Sequence, residues 1–441
     1  MHFKDELLKI CKDYPHLQFE FLYKIWETDF LRFYQSQTNY NISKTSITLY
    51  TSVHKGKKSY SFSLKNPSQS MVLEKIKEAE QLIDHLPEDP DFVDIEKDLT
   101  KSSEKEKTNN INIVSLNKKI NILSKIADAV KPYNFKIYGS FICNYNTTYI
   151  INSNDVNKRN INSPIMLELK AVSDKNQVTV LESYGSENIS NFNLDLFIEH
   201  LVAKVKSAQN DLIDITPGEY EVILAPRCMN AYWVNLLGSM HAHSLDVKNS
   251  FFEDKLDKKV FPDFINLTDD PTHPDLINFD YSGNGHIYRK LKLIENGVFL
   301  NFLVDNYYAH KLGLKENGAE GEALVMGTGD KSLAKMIGSV KRGLYISSLH
   351  YMNFINHKET SLTGLTRDGT FLIEDGKISK IVNNLRFTEK ISDIINGITE
   401  IENRSYTVPS STNYGEFSIY SSKIPHVKVK GFKISSSTKT I

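Results

Sequence analysis

The chain has 441 residues, of which 40% are hydrophobic and 24% charged, so it can bury ordinary cores and is not disordered as a whole. It carries 53 Lys and Arg residues against 54 Asp and Glu residues, and the resulting net charge of −1 argues against a generally basic nucleic-acid-binding surface. No apolar run approaches the roughly 20 residues that a membrane helix needs. The first residues lack the pattern of a signal peptide, so we expect a cytoplasmic protein that does not bind membranes.

The N-terminal part mixes short helices with alternating segments. A helix is predicted near Lys4–Lys12, and the alternation of apolar and polar residues at 46–50 and 59–63 predicts strands. A helix that Ser70 caps and Pro87 ends follows. Its apolar stripe consists of Val72, Ile76, Ala79, Ile83 and Leu86.

Residues 96–110 are highly charged and nearly free of aliphatic residues, which predicts a solvated loop. The next helix is predicted over Leu116–Val130, with Ser115 as its cap. Its inward face is expected to consist of Leu116, Ile120, Leu123, Ala127 and Val130. A hairpin of Phe135–Cys143 and Thr148–Asn152 and a helix over Leu194–Ala208 complete this part.

The turn residues Thr216, Pro217 and Gly218 predict a boundary between domains at 1–215 and 216–441. Beyond it, Asn296-Gly297 and Asp375-Gly376 each separate two apolar runs, as in tight β-hairpins. A late helix at Thr388–Gly397 and strands at 416–421 and 426–430 follow. We therefore predict an α+β protein, with a mixed α/β N-terminal domain and a strand-rich C-terminal domain.

Five segments, at 149–154, 217–224, 296–313, 343–346 and 371–377, resemble in this order the TldD/PmbA family of metallopeptidase-related proteins, which is also named modulator of DNA gyrase. The resemblance implies two domains and a dimer. One branch, TldD, is a zinc peptidase with HExxxH on a helix and a Cys ligand near the C-terminus. The other branch, PmbA or TldE, lacks these ligands and pairs with the first. The pair is associated with the maturation and degradation of peptides.

The resemblance places Asn235 or Leu236 where the first zinc-binding His belongs, and a residue near Met240 or His241 where the second belongs. No Glu occurs between Glu221 and Glu253 to act on a bound water, and Cys228 is the last Cys. The chain therefore resembles the PmbA/TldE branch. We expect no cofactor in this chain, and zinc in a TldD-type partner.

His241-Ala242-His243 offers a different reading of the same region. On a strand, these two imidazoles share one face and can chelate zinc, whereas on a helix they point about 200° apart. A helix end or a turn is the expected structure. Further ligands for an altered zinc site could come from Asp246, His273, Asp280, His286 or Glu295. The acids of Asp269–Asp275, interleaved with prolines, predict a rigid surface loop.

These observations predict a non-catalytic subunit of a cytoplasmic peptidase, acting on peptides as a homodimer or as a heterodimer with a TldD-type subunit. Arg367, in the segment 363–369, is the candidate for peptide or partner contact, with a plain hairpin-flanking turn as the alternative. One rival hypothesis is an active metallopeptidase with its site at His241 and His243. A second rival is a gyrase-associated or nucleic-acid-binding factor, which the near-neutral charge disfavours.

Overall fold

The computed structural model describes residues 3–97, 114–187, 189–412 and 418–437. Within these ranges the helices are α1 (Phe3–Asp13), α2 (Gln69–Ile83), α3 (Leu116–Val130), α4 (Leu194–Ser207), α5 (Pro226–Leu237), α6 (Ala242–Asp246), α7 (Asn306–Leu312), α8 (Leu333–Gly338) and α9 (Ile391–Asn396). Most of the predicted loop at 96–110 lies outside the described residues.

The strands of the first sheet are β1 (Gln18–Tyr34), β2 (Gln37–Lys55), β3 (Lys58–Lys65), β4 (Phe135–Asn152), β5 (Asn157–Asn162), β6 (Ile165–Ser173) and β7 (Thr179–Ser186). They pair antiparallel in the order β3-β2-β1-β4-β6-β7, with β5 also on β4.

The predicted hairpin between Cys143 and Thr148 is wrong, because this segment is the middle of β4. The strand pairs with β1 without a register shift from Gly139 to Asn152. The polar run that suggested a turn is largely buried, and Asn146 donates a hydrogen bond across to Asn162 of β5 at 3.0 Å. Consecutive polar residues in the middle of a long strand can thus be mistaken for a turn when only the sequence is considered.

Two details of the predicted helices also change. Helix α2 begins two residues earlier than predicted, because the Ser68 hydroxyl, rather than that of Ser70, accepts from the backbone N–H of Met71. Helix α3 has the predicted bounds, but Leu116 and Ile120 are exposed. The buried face instead contains Lys119, Ile122, Leu123, Ile126 and Val130. The prediction chose the wrong buried face because Lys119, a charged residue, lies on the face that is in fact buried.

The second sheet contains β8 (Leu212–Ile213), β9 (Gly218–Leu224), β10 (Leu267–Asp269), β11 (Leu291–Glu295), β12 (Val298–Phe299), β13 (Leu324–Met326), β14 (Arg342–Asn356), β15 (Ser361–Glu374), β16 (Lys377–Val382), β17 (Leu385–Lys390), β18 (Ile398–Thr412) and β19 (Ser418–Ser437). Its main order is β12-β11-β10-β13-β19-β9-β14-β15-β16-β8, with parallel pairs such as β9/β14 among antiparallel ones. The α+β class is confirmed.

Both predicted hairpins are present, as β11/β12 and β15/β16. Helix α9 buries Ile391, Ile394 and Ile395 as expected, but it begins later than predicted, since Thr388 belongs to β17. The strand predicted at 426–430 and the described part of the one predicted at 416–421 belong to the single strand β19. Residues 416 and 417 lie outside the described residues.

The central strands of the second sheet are buried on both faces. Val222 and Leu224 of β9 join one apolar core with α5, whereas Ile223 between them joins a core shared with α3, α4 and the first sheet. Two charged contacts also join β6 of the first sheet to the C-terminal part: Arg227 of α5 with Glu168 at 2.7 Å, and Asp368 of β15 with Lys170 at 2.8 Å. Among the described residues, no helix is long and apolar enough to span a membrane.

Replacement of Lys119 by Ala should lower the free energy of unfolding by about 2–4 kcal/mol, because it leaves the Asp29 carboxylate unpaired near the core. The Lys119 side chain is fully buried and contacts Asp29 at 2.7 Å. Chemical denaturation measures the change. Lys118→Ala, an exposed lysine of the same helix, is the control and should change stability by less than about 0.5 kcal/mol. Equal effects of the two changes would contradict the assigned role of the ion pair.

Candidate functional site

Helix α5 and the turn after it carry the positions at which the family resemblance places the missing zinc ligands. Pro226 occupies its first turn, where a missing N–H costs nothing. Leu236 and Met240 are fully buried in the apolar core. The Asn235 amide donates back to the Ala231 carbonyl at 2.7 Å. Leu236 and Met240 therefore serve the packing of the core, and the Asn235 amide is used in a hydrogen bond to its own helix.

The chain leaves α5 through a 3-10 turn, Gly238–Met240, and reaches the two histidines. His241 has an extended backbone and directly precedes α6, whereas His243 lies inside α6. Backbone hydrogen bonds hold this turn against Leu303, whose N–H donates to Met240 and whose carbonyl accepts from Ala242. The two imidazoles thus belong to a helix start rather than to one strand face.

A cavity of about 480 Å³ opens beside this turn. Its lining includes His241, His243, Tyr308, Asp305 and Glu320. His243 Nδ1 is 2.8 Å from the Tyr308 hydroxyl, so that nitrogen already has a partner. Burial lowers the pKa of His241, which favours the neutral imidazole that metals require.

The residues around the two histidines do not fit a zinc site as they are arranged. In the described part of the chain, the group with three close metal-ligating atoms consists of Glu96, His286 and Glu316, and neither His241 nor His243 belongs to it. Asp246, one of the predicted additional ligands, is engaged with Lys311 at 2.9 Å. In this arrangement, His241 and His243 therefore do not form a metal site with a third ligand from the residues that the structure describes.

A second, smaller cavity of about 120 Å³ shares Glu320 and Glu322 with the first and extends to the open face of the first sheet. That face contributes Lys24, Trp26, Asn146, Thr148, Asn160 and Asn162. We call the two cavities together the interdomain cleft. One wall is rich in amide and hydroxyl groups, and the other carries carboxylates and imidazoles.

Glu322, which lines this cleft, and Asp269, a buried carboxyl group near it, both have raised pKa values. Burial, together with the nearby Glu320 and Asp269 charges, raises the pKa of Glu322 to about 8. Burial likewise raises the pKa of Asp269 to about 6, although the backbone N–H groups of Gly321 and Ala323 donate to its carboxylate. Perturbed acids in a cleft are a physical indication of a functional site.

The prediction of a surface loop over Asp269–Asp275 is therefore wrong at its start. Asp269 ends β10 and is 2% exposed, and Asp270 is 6% exposed. The two N–H donors from the 321–323 segment satisfy the Asp269 carboxylate, which is what permits its burial. Such partners, some 50 residues away, leave no local signal in the sequence.

A further polar cluster, which no local sequence pattern indicates, lies in a cleft of about 430 Å³ between α4 and β18. His426 Nδ1 is 2.6 Å from Glu402, and His426 Nε2 is 3.1 Å from the Tyr345 hydroxyl. The Tyr406 hydroxyl donates to Glu402 at 3.0 Å. Burial lowers the pKa of His426, which favours the neutral ring, and the ring links the Glu402 carboxylate to the Tyr345 hydroxyl.

Arg367 lies within β15, opposite Ser348 of β14, and not in a turn beside a hairpin. The following Asp368 and Gly369 have positive φ values of 55° and 116°, and the pairing of β15 with β14 shifts register at this point without ending the strand. Arg367 lines neither the two cavities beside His241 and Glu322 nor the cleft between α4 and β18. Its role in peptide or partner contact stays a prediction.

Comparison with known proteins extends over nearly the whole chain. The family model of the PmbA/TldA metallopeptidase C-terminal domain matches residues 217–436. A zinc metalloprotease TldD homolog of Saccharolobus solfataricus is 27% identical over 374 residues, covering 79% of this chain and 80% of that protein. Metalloprotease PmbA of Escherichia coli O157:H7 is 25% identical over 191 residues, or 41% of this chain and 40% of that protein.

Solved structures show the same fold. TldE from Thermococcus kodakarensis superimposes with a TM-score of 0.85 at 18% identity, covering 98% of this chain and 99% of that one. A Thermotoga maritima protein described as a modulator of a DNA gyrase gives a TM-score of 0.82 at 16% identity, with the same coverage of both chains.

Glu322→Gln should make stability less dependent on pH. A carboxyl group whose pKa rises from 4.5 to about 8 on folding keeps its proton in the folded state, so its contribution is complete below pH 4.5 and declines as the pH rises to about 8. This decline is at most about 1.4 kcal/mol per pH unit. Denaturation at pH 5, 7 and 9 should therefore show a flatter profile for the variant. The exposed Glu88→Gln control should keep the wild-type slope, and a variant profile as steep as the wild type would exclude Glu322 as its cause.

Proposed function

Because the chain belongs to the TldD/PmbA family, we propose that it is a PmbA/TldE-like subunit that supports a peptidase without cutting peptides itself. The observation that carries the proposal is the composition of α5 and the turn after it. Asn235, Leu236 and Met240 stand where imidazole ligands are expected, and the helix contains no His and no carboxylate. The zinc and the general base would then come from a TldD-type partner.

The interdomain cleft is the place at which this subunit would contact peptide. Its amide-rich wall includes Asn146, whose buried Oδ1 has no hydrogen-bond partner among the described residues, whereas the Asn160 amide is already bound to the backbone of Asp280 and Tyr281. Trp26 adds an aromatic surface, and Lys24 lies 4.7 Å from its ring centre. Amide groups can pair with a peptide backbone whatever its side chains are, so the cleft suits a subunit that handles varied peptides.

Peptide addition to the ends of the second sheet is the weaker mode of binding. The two terminal strands of its main path, β8 and β12, have only two residues each. Strands this short offer few free backbone groups to an extended peptide. Side-chain contacts within the cleft therefore support the proposal better than strand pairing does.

An active metallopeptidase is the second candidate function. It is favoured by one observation: His241 and His243 line the same cavity, together with Asp305, Glu320 and Glu322. A rearrangement on binding a partner could bring these donors together. The near-neutral net charge gives no electrostatic support to a third role, in DNA binding.

Reconstitution distinguishes the two candidates. The chain and a TldD-type subunit from the same cell should co-purify after co-expression, and peptide hydrolysis by the pair should exceed that of either protein alone. Mass spectrometry of a digested peptide mixture measures the products. The double variant His241→Ala/His243→Ala of this chain should leave the kcat of the pair unchanged, because under this proposal neither imidazole holds the zinc. Metal-dependent hydrolysis by this chain alone, lost in that double variant, would instead establish the active metallopeptidase.

Trp26→Ala should raise the KM of the reconstituted pair for peptides, by about tenfold if the ring contributes about 1.4 kcal/mol of binding. The kcat should change little, because Trp26 lies on the wall of the cleft and not among the acids and imidazoles. Trp26→Phe keeps an aromatic ring and should restore most of the affinity. An unchanged KM for Trp26→Ala in a folded pair would show that peptides do not lie on this wall.

A further inference from the structure

Three segments that are distant in sequence meet at the cluster of Glu96, His286 and Glu316. Glu96 follows the buried Ile95 near the end of the first described segment, His286 lies in the loop before β11, and Glu316 follows α7. One ligating atom from each residue lies within 4.8 Å of the other two. The sequence suggested a solvated loop beginning at Glu96, yet the Glu96 side chain is only 14% exposed.

The distances in this cluster suit a metal better than a hydrogen bond. His286 Nδ1 is 3.4 Å from Glu316 Oε1 and 3.8 Å from Glu96 Oε1. The Glu316 oxygen is buried and has no hydrogen-bond partner. A tetrahedral zinc ion, with bonds of about 2.1 Å, holds its ligand atoms about 3.4 Å apart. The three atoms therefore need only small side-chain movements to reach a common ion.

Each of the three segments is fixed by contacts of its own. Asn152 Nδ2 donates to the Glu96 carbonyl at 2.7 Å, and Asn154 Nδ2 donates to the Ile95 carbonyl at 2.9 Å. The neighbour of Glu316, Asn317, donates to the Phe302 carbonyl at 2.8 Å and accepts from the Val304 N–H at 3.1 Å. Amide side chains outside the cluster thus fix the backbone that carries Glu96 and Glu316, as the residues around a metal site commonly orient its ligands.

The fold also leaves space for the His286 imidazole. Gly318 has a φ of +60°, and a Cβ atom there would lie 2.2 Å from Cδ2 of His286. Only glycine leaves room for the ring at this point while it adopts this backbone conformation readily. The His286 N–H is bound by the Ser282 hydroxyl at 3.1 Å, which fixes the backbone that carries the ring.

We propose that Glu96, His286 and Glu316 bind one divalent transition-metal ion of the zinc type, which fastens the segment ending at Lys97 to the second sheet's loops. One imidazole and two carboxylates are ligands that zinc accepts, and the two acids would neutralise the charge of the ion. The site differs from the position at α5 and from His241 and His243. Its role is structural, and it does not depend on the proposed peptidase function.

Zinc titration of the full, chelator-treated chain tests the proposal. Isothermal titration calorimetry should show one Zn²⁺ per chain, and Glu316→Gln, Glu96→Gln and His286→Ala should each weaken the affinity by at least about tenfold. The double variant His241→Ala/His243→Ala is the matched control and should bind zinc like the wild type. X-ray absorption should report one imidazole among light-atom ligands. Absence of saturable binding by the wild type overturns the proposal, as does loss of binding in the control.

A second measurement tests whether the ion holds the segment that ends at Lys97 in place. It does not depend on the stability of a variant. Trypsin should cut after Lys97 more slowly in the presence of Zn²⁺ than after chelation, because the ion would hold the adjacent Glu96 in place. Glu316→Gln should remove this difference while its zinc-free cleavage rate stays that of the wild type. Cleavage rates that are identical with and without zinc, in a wild-type chain shown to bind it, would contradict the structural role.

Discussion

The burial of the second sheet on both faces is the constraint on which the rest of the structure depends. Alternate residues of β9, β14 and β15 enter two different cores: Leu344 and Leu372 pack with α5, and Tyr345, Phe371 and Ile373 pack with the first sheet and α4. A strand with two apolar faces has no polar side to turn to water. Neither α5 nor the N-terminal part can therefore separate from this sheet without exposing one of its faces.

The same constraint determines where polar chemistry can occur. The inward face of α5 is committed to Tyr232, Trp233 and Leu236, all fully buried, so the helix itself has little room for ligands. Polar groups collect instead where the chain leaves the two cores, at the turn to His241 and at the open face of the first sheet. The interdomain cleft is the space that remains between elements whose apolar faces are already paired.

The sequence predicted the features that local chemistry determines. Asn296-Gly297 and Asp375-Gly376 form the tight turns that these residue pairs favour, and Ser115 caps α3. It did not predict features that depend on distant partners. Lys119 is buried only because Asp29, 90 residues away, receives its ammonium group, and this shifted the apparent face of α3. The run from Asn144 to Thr148 resembled a turn because nothing local shows that β1 and β5 lie on either side of it.

The candidate site likewise contains features that could be predicted from the sequence and features that could not. The absence of HExxxH could be read from the sequence, because the resemblance aligned a helix whose residues are consecutive. The Glu402–His426 pair and the Glu96, His286 and Glu316 cluster could not, since each joins residues that only the fold brings together. This difference bears on function. The packing of α5 stabilises the sheet whether or not the helix carries imidazoles, so a relative can lose its zinc ligands and still keep the cleft. Under the proposed function, the cleft would bind the peptide and the apolar α5 would leave its hydrolysis to a TldD-type partner.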